Sequence, residues 1–340
     1  MSKKNSNVLK HKNYLIKESK ISEIYNNFEF KLKRSIKKKP FLVAVSGGSD
    51  SLALTALSYY FKKNEGNKIF YVHIDHGLRS NSSKEAKKLK ELLKKNKINL
   101  RIIRNKKKIL KNIQSQAREI RYRLLVDFCK KYNINFILTG HHSDDQIETF
   151  LIRLSRGSGV QGLASMSSIT YLDKKIKLFR PLLDLEKKQL IYTAKKFFVK
   201  IFKDPSNLDT KYLRTKIRFL KKELEKNGIK SNQILKSINN LASTRDTLNN
   251  YLNQTIKKCF KKKNKKILVA LKPLFLETKE IQLKALSKII KTFSGSYYPP
   301  RSKKVINLIN NIKLSQKNKF TLGGCIFEKD RNNMIITLEV

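Results

Sequence analysis

Residues 41–51 read FLVAVSGGSDS, and the ten that follow read LALTALSYYF. A short apolar run with β-branched residues, two glycines between serines, then a long apolar run of good helix formers is a strand, a tight turn and a helix N-terminus. That junction makes a cradle for an anion. Gly47 and Gly48 let the backbone approach an oxyanion, and successive N–H groups converge on it. The hydroxyls of Ser46, Ser49 and Ser51 add donors. Asp50 is itself anionic, so its expected role is to hold Mg²⁺ or to fix the loop. No G-x-x-x-x-G-K-[ST] string occurs, which excludes the kinase-type phosphate loop.

Outward from this loop, short apolar runs alternate with amphipathic charged stretches as far as about Leu185, the pattern of βαβ units and a parallel sheet. The spacing predicts strands at Phe41 to Val45, Ile69 to Ile74, Leu100 to Arg104 and Asn135 to Thr139. Helices are expected near Ser51 to Lys63, Ser83 to Lys95, Ser115 to Lys131 and Ser143 to Arg156, with Ser82 and Ser83 as cap candidates for the second. In such a sheet the loops at the carboxyl ends of the strands form the ligand crevice. After Gly228 long Lys, Asn and Leu stretches read as a helical pair or one long helix. From Phe320 to Val340 two short strands flank the turn residues Asp330 to Asn333. The expected organisation is therefore a basic N-terminal extension (1–38), an α/β catalytic domain (39–227) and a smaller, mainly helical domain (228–340) ending in a short β hairpin.

The 340 residues carry 76 Lys and Arg against 26 Asp and Glu, a formal net charge of +50. A polyanionic partner, nucleic acid before acidic metabolites or anionic membranes, is the expectation. A compositional bias toward Lys at solvated positions is the bland alternative. Cys129, Cys259 and Cys325 lie far apart without a C-x-x-C pair, which argues for a reducing compartment and against a zinc ribbon or iron–sulfur site. The N-terminus lacks the apolar run of a signal peptide, and no stretch reaches the roughly 18 apolar residues of a membrane span. A cytoplasmic location without membrane contact is expected.

Two further strings fall at strand ends: Val72-His73-Ile74-Asp75-His76-Gly77-Leu78-Arg79 and Thr139-Gly140-His141-His142-Ser143-Asp144-Asp145-Gln146-Ile147-Glu148-Thr149. They hold four of the five histidines, the side chain suited to proton transfer or metal ligation near neutral pH. Usual zinc spacings are missing. Asp144 or Asp145 lies one helical turn before Glu148, with Ile147, Leu151 and Leu154 as the apolar stripe. This acidic face is expected to look into the cleft and to serve a cation, either Mg²⁺ or an amine. In a lysine-rich chain, Arg118, Arg121 and Tyr122 share a helix face, and arginine recurs at Arg153, Arg156, Arg180, Arg214 and Arg218. Its planar fork suits carboxylate, phosphate or base edges. Asp204-Pro205-Ser206-Asn207 with Asp209, Tyr212 and Arg214 forms a polar turn into a basic helix. Gly157, Gly159 and Gly162 fit G-x-G-x-x-G, but a helical stretch precedes them where the dinucleotide fingerprint needs a strand. A flexible loop near the cleft is the better reading.

In combination, SGGSDS, HIDHGLR, AREIRY, TGHHSDDQIETFLIRLSRGSGVQGL, RPLL and DPSN, in that order over residues 41 to about 220, resemble the tRNA(Ile)-lysidine synthetase family of the N-type ATP pyrophosphatases. YYPPR ending at Arg301 and TLGGC at Thr321 to Cys325 are similar to that family's tail. The resemblance implies a Rossmann-like parallel sheet with helices on both faces. It also implies ATP and Mg²⁺, free L-lysine, and a tRNA(Ile) with a CAU anticodon whose wobble cytidine is adenylated at C2 and then attacked by the lysine ε-amine. On that reading Ser46 to Ser51 cradle pyrophosphate and Asp50 holds the metal. Asp145 and Glu148, with Asp144 beside them, hold the lysine ammonium, and Arg118 takes its carboxylate. One of His73, His76 or His141, or a carboxylate, accepts the amine proton. The family usually carries Asn-Arg in place of Thr215-Lys216, so Lys216 is assigned no role. The Lys-rich extension before Phe41 is expected to be disordered or an auxiliary tRNA contact. The oligomeric state is left open, a homodimer being one option. A tRNA thiolase, a small-molecule ligase and a basic RNA-binding protein with a relic nucleotide fold are the rival readings.

Overall fold

The computed structural model describes residues 18–78, 81–105, 113–202, 211, 213–296, 299–314 and 318–339. Arg79, the turn at Asp204 to Asn207 with Asp209 and Tyr212, Tyr297 and Tyr298 of the YYPPR string, and residues 1–17 of the extension lie outside them. The chain divides into two compact units, Met1–Ala242 and Ser243–Val340. The division falls inside a helix rather than at Gly228.

The first unit is built on a six-stranded sheet of β1 (Phe41–Ala44), β2 (Ile69–Asp75), β3 (Leu100–Arg104), β4 (Phe136–Leu138), β5 (Ile169–Tyr171) and β6 (Lys177–Phe179) in the order β3-β2-β1-β4-β6-β5. All neighbours are parallel except the edge strand β5, which runs antiparallel to β6. The chain winds outward from β1 through β2 to β3 and then returns to the other side of β1 with β4. β1 and β4 therefore flank the topological switch point, and the loops leaving their carboxyl ends meet. The connecting helices are α2 (Ser49–Glu65), α3 (Ser82–Lys95), α4 (Ile113–Lys131), α5 (Ser143–Leu154), the short α6 (Val160–Leu163), α7 (Lys187–Phe197) and α8 (Leu213–Lys226).

Two core clusters line opposite faces of the sheet. Val43 and Leu138 join one with Leu52, Phe61 and Leu93, while Leu42 and Ile137 join the other with Leu125 and Phe128. Alternate residues of one strand thus serve both layers, as a doubly covered parallel sheet requires. The described part of the N-terminal extension is packed against the sheet's core. Residues Ser19–Ser35 form helix α1, whose Ile21, Ile24, Tyr25, Phe28 and Leu32 are buried in the first cluster, with Phe28 edge-on to Phe61 at 6.3 Å. Those five positions follow helical spacing, so the apolar stripe was present beneath the lysines. Two local expectations also change. Ser82 and Ser83 lie in the first turn of α3 behind Asn81, and Ser83 Oγ donates to Asp75 at 2.9 Å. Leu154, at the last position of α5, is exposed, and only Ile147 and Leu151 of the predicted stripe are buried.

The second unit takes up the end of α9 (Ser231–Cys259), which is one long helix. Its five strands β7 (Phe260–Lys263), β8 (Lys266–Ala270), β9 (Lys319–Leu322), β10 (Cys325–Asp330) and β11 (Asn333–Leu338) form an antiparallel sheet in the order β7-β8-β11-β10-β9. The expected hairpin is β10–β11, closed by Asp330 opposite Asn333, at the middle of this sheet. Helices α10 (Leu271–Phe275), α11 (Lys279–Ser294) and α12 (Ser302–Leu314) supply Leu274, Leu286, Ile290, Val305 and Ile312 to a core with Val269, Phe327 and Ile336. Strand content is larger than expected because β7 and β8, around Asn264, are lysine-rich and show apolar alternation only from Ile267. No helix among the described residues is long and apolar enough to cross a membrane.

One close approach sets the geometry of the switch point. A Cβ added to Gly140, just past β4, would lie 2.7 Å from the carbonyl oxygen of Asp50 and 3.1 Å from the Ser51 nitrogen. Gly140→Ala should therefore push the loop after β4 off the first turn of α2, at a cost of about 1–3 kcal/mol. The urea midpoint measures this, and a midpoint equal to that of the parent protein would refute the close packing.

Candidate active site

The glycine turn after β1 is stabilised from within. Ser51, on the first turn of α2, accepts the N–H groups of Ser46 and Gly47 (both 3.1 Å) and the Ser46 hydroxyl (3.0 Å), and donates to the Gly48 carbonyl (3.0 Å). Its hydroxyl is committed to the loop, so Ser51 shapes the cradle and is not a free donor to an anion as the sequence suggested. Gly47 has φ +92°, which only glycine adopts without strain, and the Phe202 N–H donates to its carbonyl at 3.1 Å. Beyond the turn, the first N–H groups of α2 have no acceptor within the helix. Ser49 Oγ donates to Asp50 Oδ1 at 2.8 Å, orienting the carboxylate.

A cleft of about 530 Å³ opens over the carboxyl ends of β1, β2 and β4. Its walls include Ser46, Gly48, Asp50, Ser51, His73, His76, Arg118, His141 and Asp145, so the three sequence motifs and the arginine helix meet in one place. Arg121, Tyr122 and Arg214 also line it. Arg118 and Arg121 stack against the Tyr122 ring, at 4.9 and 5.4 Å from its centroid. Glu148 is not in the wall but buried behind it, at 3% exposure.

The histidines differ in state because their surroundings differ. His73 Nδ1 donates to the Val45 carbonyl at 2.8 Å, which fixes the neutral tautomer with Nε2 as the accepting nitrogen. Burial lowers its pKa against the pull of Asp75. His76 is lowered by burial and by Arg121. His141 lies 2.8 Å from Thr139 Oγ1 and is pushed down to about 2 by burial and by Arg180, Arg118, Arg214 and Arg121. His142, which sequence reasoning passed over, is the opposite case. Burial would discharge it, but Asp144, Asp50 and Asp145 lift its pKa to about 9. Its Nε2 stands 3.6 Å from Asp50 and 3.5 Å from Asp145, and its Nδ1 3.5 Å from Asp144. The identity of its neighbours was on the sequence, but which of two adjacent histidines turned toward Asp50 was not.

The acid row is occupied by the chain's own cations. Glu148 accepts Arg214 Nε and Arg218 Nε, both at 2.6 Å; Asp145 accepts Arg214 Nη2 at 3.0 Å; Asp144 pairs with Lys221 and accepts the Lys187 N–H at 3.0 Å. Arg214, Arg218 and Lys221 sit at i, i+4 and i+7 of α8, one face of a helix. That spacing was a legible signal for a basic face, though not for its partner. Thr215 is buried and Lys216 exposed on α8, so the departure from the family pattern falls away from the ion pairs. Arg180 is buried, with Nη1 donating to the Ser167 carbonyl at 2.7 Å and to Thr170 at 2.9 Å. The glycine-rich stretch 157–162 runs into α6, and Arg153 Nη1 donates to the Gly162 carbonyl at 2.6 Å.

A parallel sheet with a glycine–serine turn and a helix N-terminus at its switch point defines the PP-loop class of ATP-binding folds, and the PP-loop domain family matches residues 14–224. The U34-tRNA thiolase NcsA from Methanococcus maripaludis shares the fold, with a TM-score of 0.56 at 21% identity over 67% of this chain and 81% of that one. The chain belongs to the tRNA(Ile)-lysidine synthase family. It is 35% identical to the tRNA(Ile)-lysidine synthase of Wolbachia pipientis wMel over 87% of its own length and 70% of the relative's, and 32% identical to that of Orientia tsutsugamushi over 87% and 69%.

The buried imidazolium gives this site a pH signature. A folded-state pKa near 9 means that His142 contributes stability fully below about pH 6.5, its unfolded value, and that this contribution, a few kcal/mol, is lost as pH rises through the folded value. Urea unfolding of the parent protein and His142→Gln should therefore differ most at about pH 6.5 and just below, less as pH rises through neutrality, and converge above about pH 9. A difference that stays constant across this range would remove the charge from His142.

Proposed function

We propose that this protein uses ATP to ligate L-lysine to C2 of the wobble cytidine (position 34) of the CAU-anticodon tRNA(Ile). The cytidine is first adenylated with release of pyrophosphate; the lysine ε-amine then attacks C2 and displaces AMP. The observation that carries the reading is the convergence, in one cleft, of an anion-binding turn, a guanidinium cluster and neutral imidazoles beside a row of carboxylates. ATP phosphates suit the first two, and an amine nucleophile suits the last two.

Within that scheme the turn at Ser46 to Asp50 and the start of α2 stabilise the charge that develops on the leaving pyrophosphate. Asp50, a hard oxygen donor aimed by Ser49 at the turn, would hold Mg²⁺ together with phosphate oxygens, and the metal would offset phosphate charge. Arg118 and Arg121 present forks for phosphate or for the lysine carboxylate. Asp145 and Glu148 provide the anionic seat for the lysine ammonium. A charged amine is no nucleophile, so a neutral base must take its proton. His73 has its accepting nitrogen fixed for this. His141 is held nearly non-basic first by burial and then by four arginines, and bound phosphates, by offsetting those charges, would relieve the second part. The net charge of +50 supplies the long-range attraction for tRNA, with the salt dependence that phosphate contacts bring. We place the reaction in the cytoplasm, where its tRNA substrate and ATP occur together. A thiolase reading finds no support in the cysteines, all buried, with burial pushing the Cys129 thiol up to about 12.

Incubation with ATP, radiolabelled lysine and a CAU-anticodon tRNA(Ile) transcript should incorporate label, and changing cytidine 34 to uridine should abolish it. Equal labelling of both transcripts, or of neither, refutes the assignment. Asp50→Asn should lower the rate by about 10²-fold or more and weaken its Mg²⁺ dependence; unchanged values would take Asp50 out of the mechanism.

A further inference from the structure

The junction of α5 and α8 is electrically full. Asp145 and Glu148 of α5 face Arg214 and Arg218 of α8, two carboxylates against two guanidiniums, and beside them Asp144 pairs with Lys221, which also reaches Glu225 at 3.8 Å. Each oxygen of Glu148 already accepts a guanidinium N–H. Asp145 gives Oδ1 to Arg214 and Oδ2 to the backbone N–H of His142 at 3.1 Å. An ammonium group delivered to Asp145 and Glu148 would leave the cluster with surplus positive charge in a poorly hydrated place, which is costly unless one cation departs.

The geometry singles out which one. The side chain of Arg214 is 40% exposed, against 31% for Arg218 and 15% for Lys221. Of these three it alone also lines the cleft over the phosphate turn. One guanidinium therefore stands between the two halves of the site, held by the acids and within the cavity where phosphates would bind.

We propose that Arg214 exchanges places with the substrate amine, resting on Asp145 and Glu148 in the free protein and moving to the phosphates when ATP fills the cleft, which opens the acid pair to the lysine ammonium. This rests on the reading that those two carboxylates receive lysine. Its consequence is a coupling between two ligands that need not touch: ATP makes the amine site available, and by linkage lysine favours ATP to the same extent.

Equilibrium dialysis of radiolabelled L-lysine against the full chain, with and without a non-hydrolysable ATP analogue, tests it. In the parent protein the analogue should tighten lysine binding by about tenfold, within the usual range of such couplings. Arg214→Gln should bind lysine as tightly without the analogue as the parent does with it, and gain nothing from its addition. Arg214→Lys, which keeps the charge, should restore part of the coupling. A lysine affinity in the parent that ignores the analogue, lysine binding undetectable even with it, or weaker lysine binding in Arg214→Gln, overturns the exchange; the first two need no variant to fold. Glu148→Gln separates the underlying reading: lysine binding that survives this change undiminished shows that the acid pair is not the amine seat, whatever Arg214 does.

Discussion

Charge compensation around four clustered carboxylates holds this site together. Asp50 belongs to the phosphate turn, Asp144, Asp145 and Glu148 to α5, and the cations that neutralise them come from the N-terminus of α5 itself and from α8. Ion pairs whose acids are this buried contribute little net energy when complete, and losing one partner is costly because it strands the buried charge. The arrangement therefore specifies geometry more than it adds stability. It joins α8 to α5, and through His142 it joins α5 to the turn that would carry the nucleotide.

The cleft above this cluster has the opposite character. Burial, with Arg180, Arg118, Arg214 and Arg121, biases His141 toward neutrality, while at the next position His142 is held protonated by acids. Adjacent residues in one loop thus carry opposite electrostatic assignments, one as a neutral ring facing the cleft and the other as a structural cation beneath it. Separation of this kind would let one small site hold the phosphates, ammonium group and uncharged base of the proposed reaction without mutual cancellation.

Much of the catalytic fold was legible along the chain. The strands predicted at 41–45, 69–74, 100–104 and 135–139 lie within a residue or two of β1 to β4, because each is a short apolar run between polar loops and local patterning suffices to mark it. The edge pair β5 and β6, at three residues each, carries too short a pattern to register. The extension before Phe41 was hidden by its lysines, although Ile21, Ile24, Tyr25, Phe28 and Leu32 keep helical spacing. Most of the predicted site residues line one cleft, with Glu148 buried behind its wall, since the sheet's winding order brings the loops after β1, β2 and β4 to one edge.

The sequence by itself determined the chemistry available: an anion-binding turn at Ser46 to Ser51, histidines and acids at strand ends, and arginine where lysine would otherwise stand. Those choices are local, and residue type and spacing express them directly. The tertiary structure alone decided the pairings. That His142 and not His141 meets Asp50, and that Glu148 lies under Arg214 and Arg218, depend on contacts between segments up to 90 or so residues apart. Distances across such separations are set by how α5, α8 and the phosphate turn pack together, and no periodicity within any one of them encodes the partner.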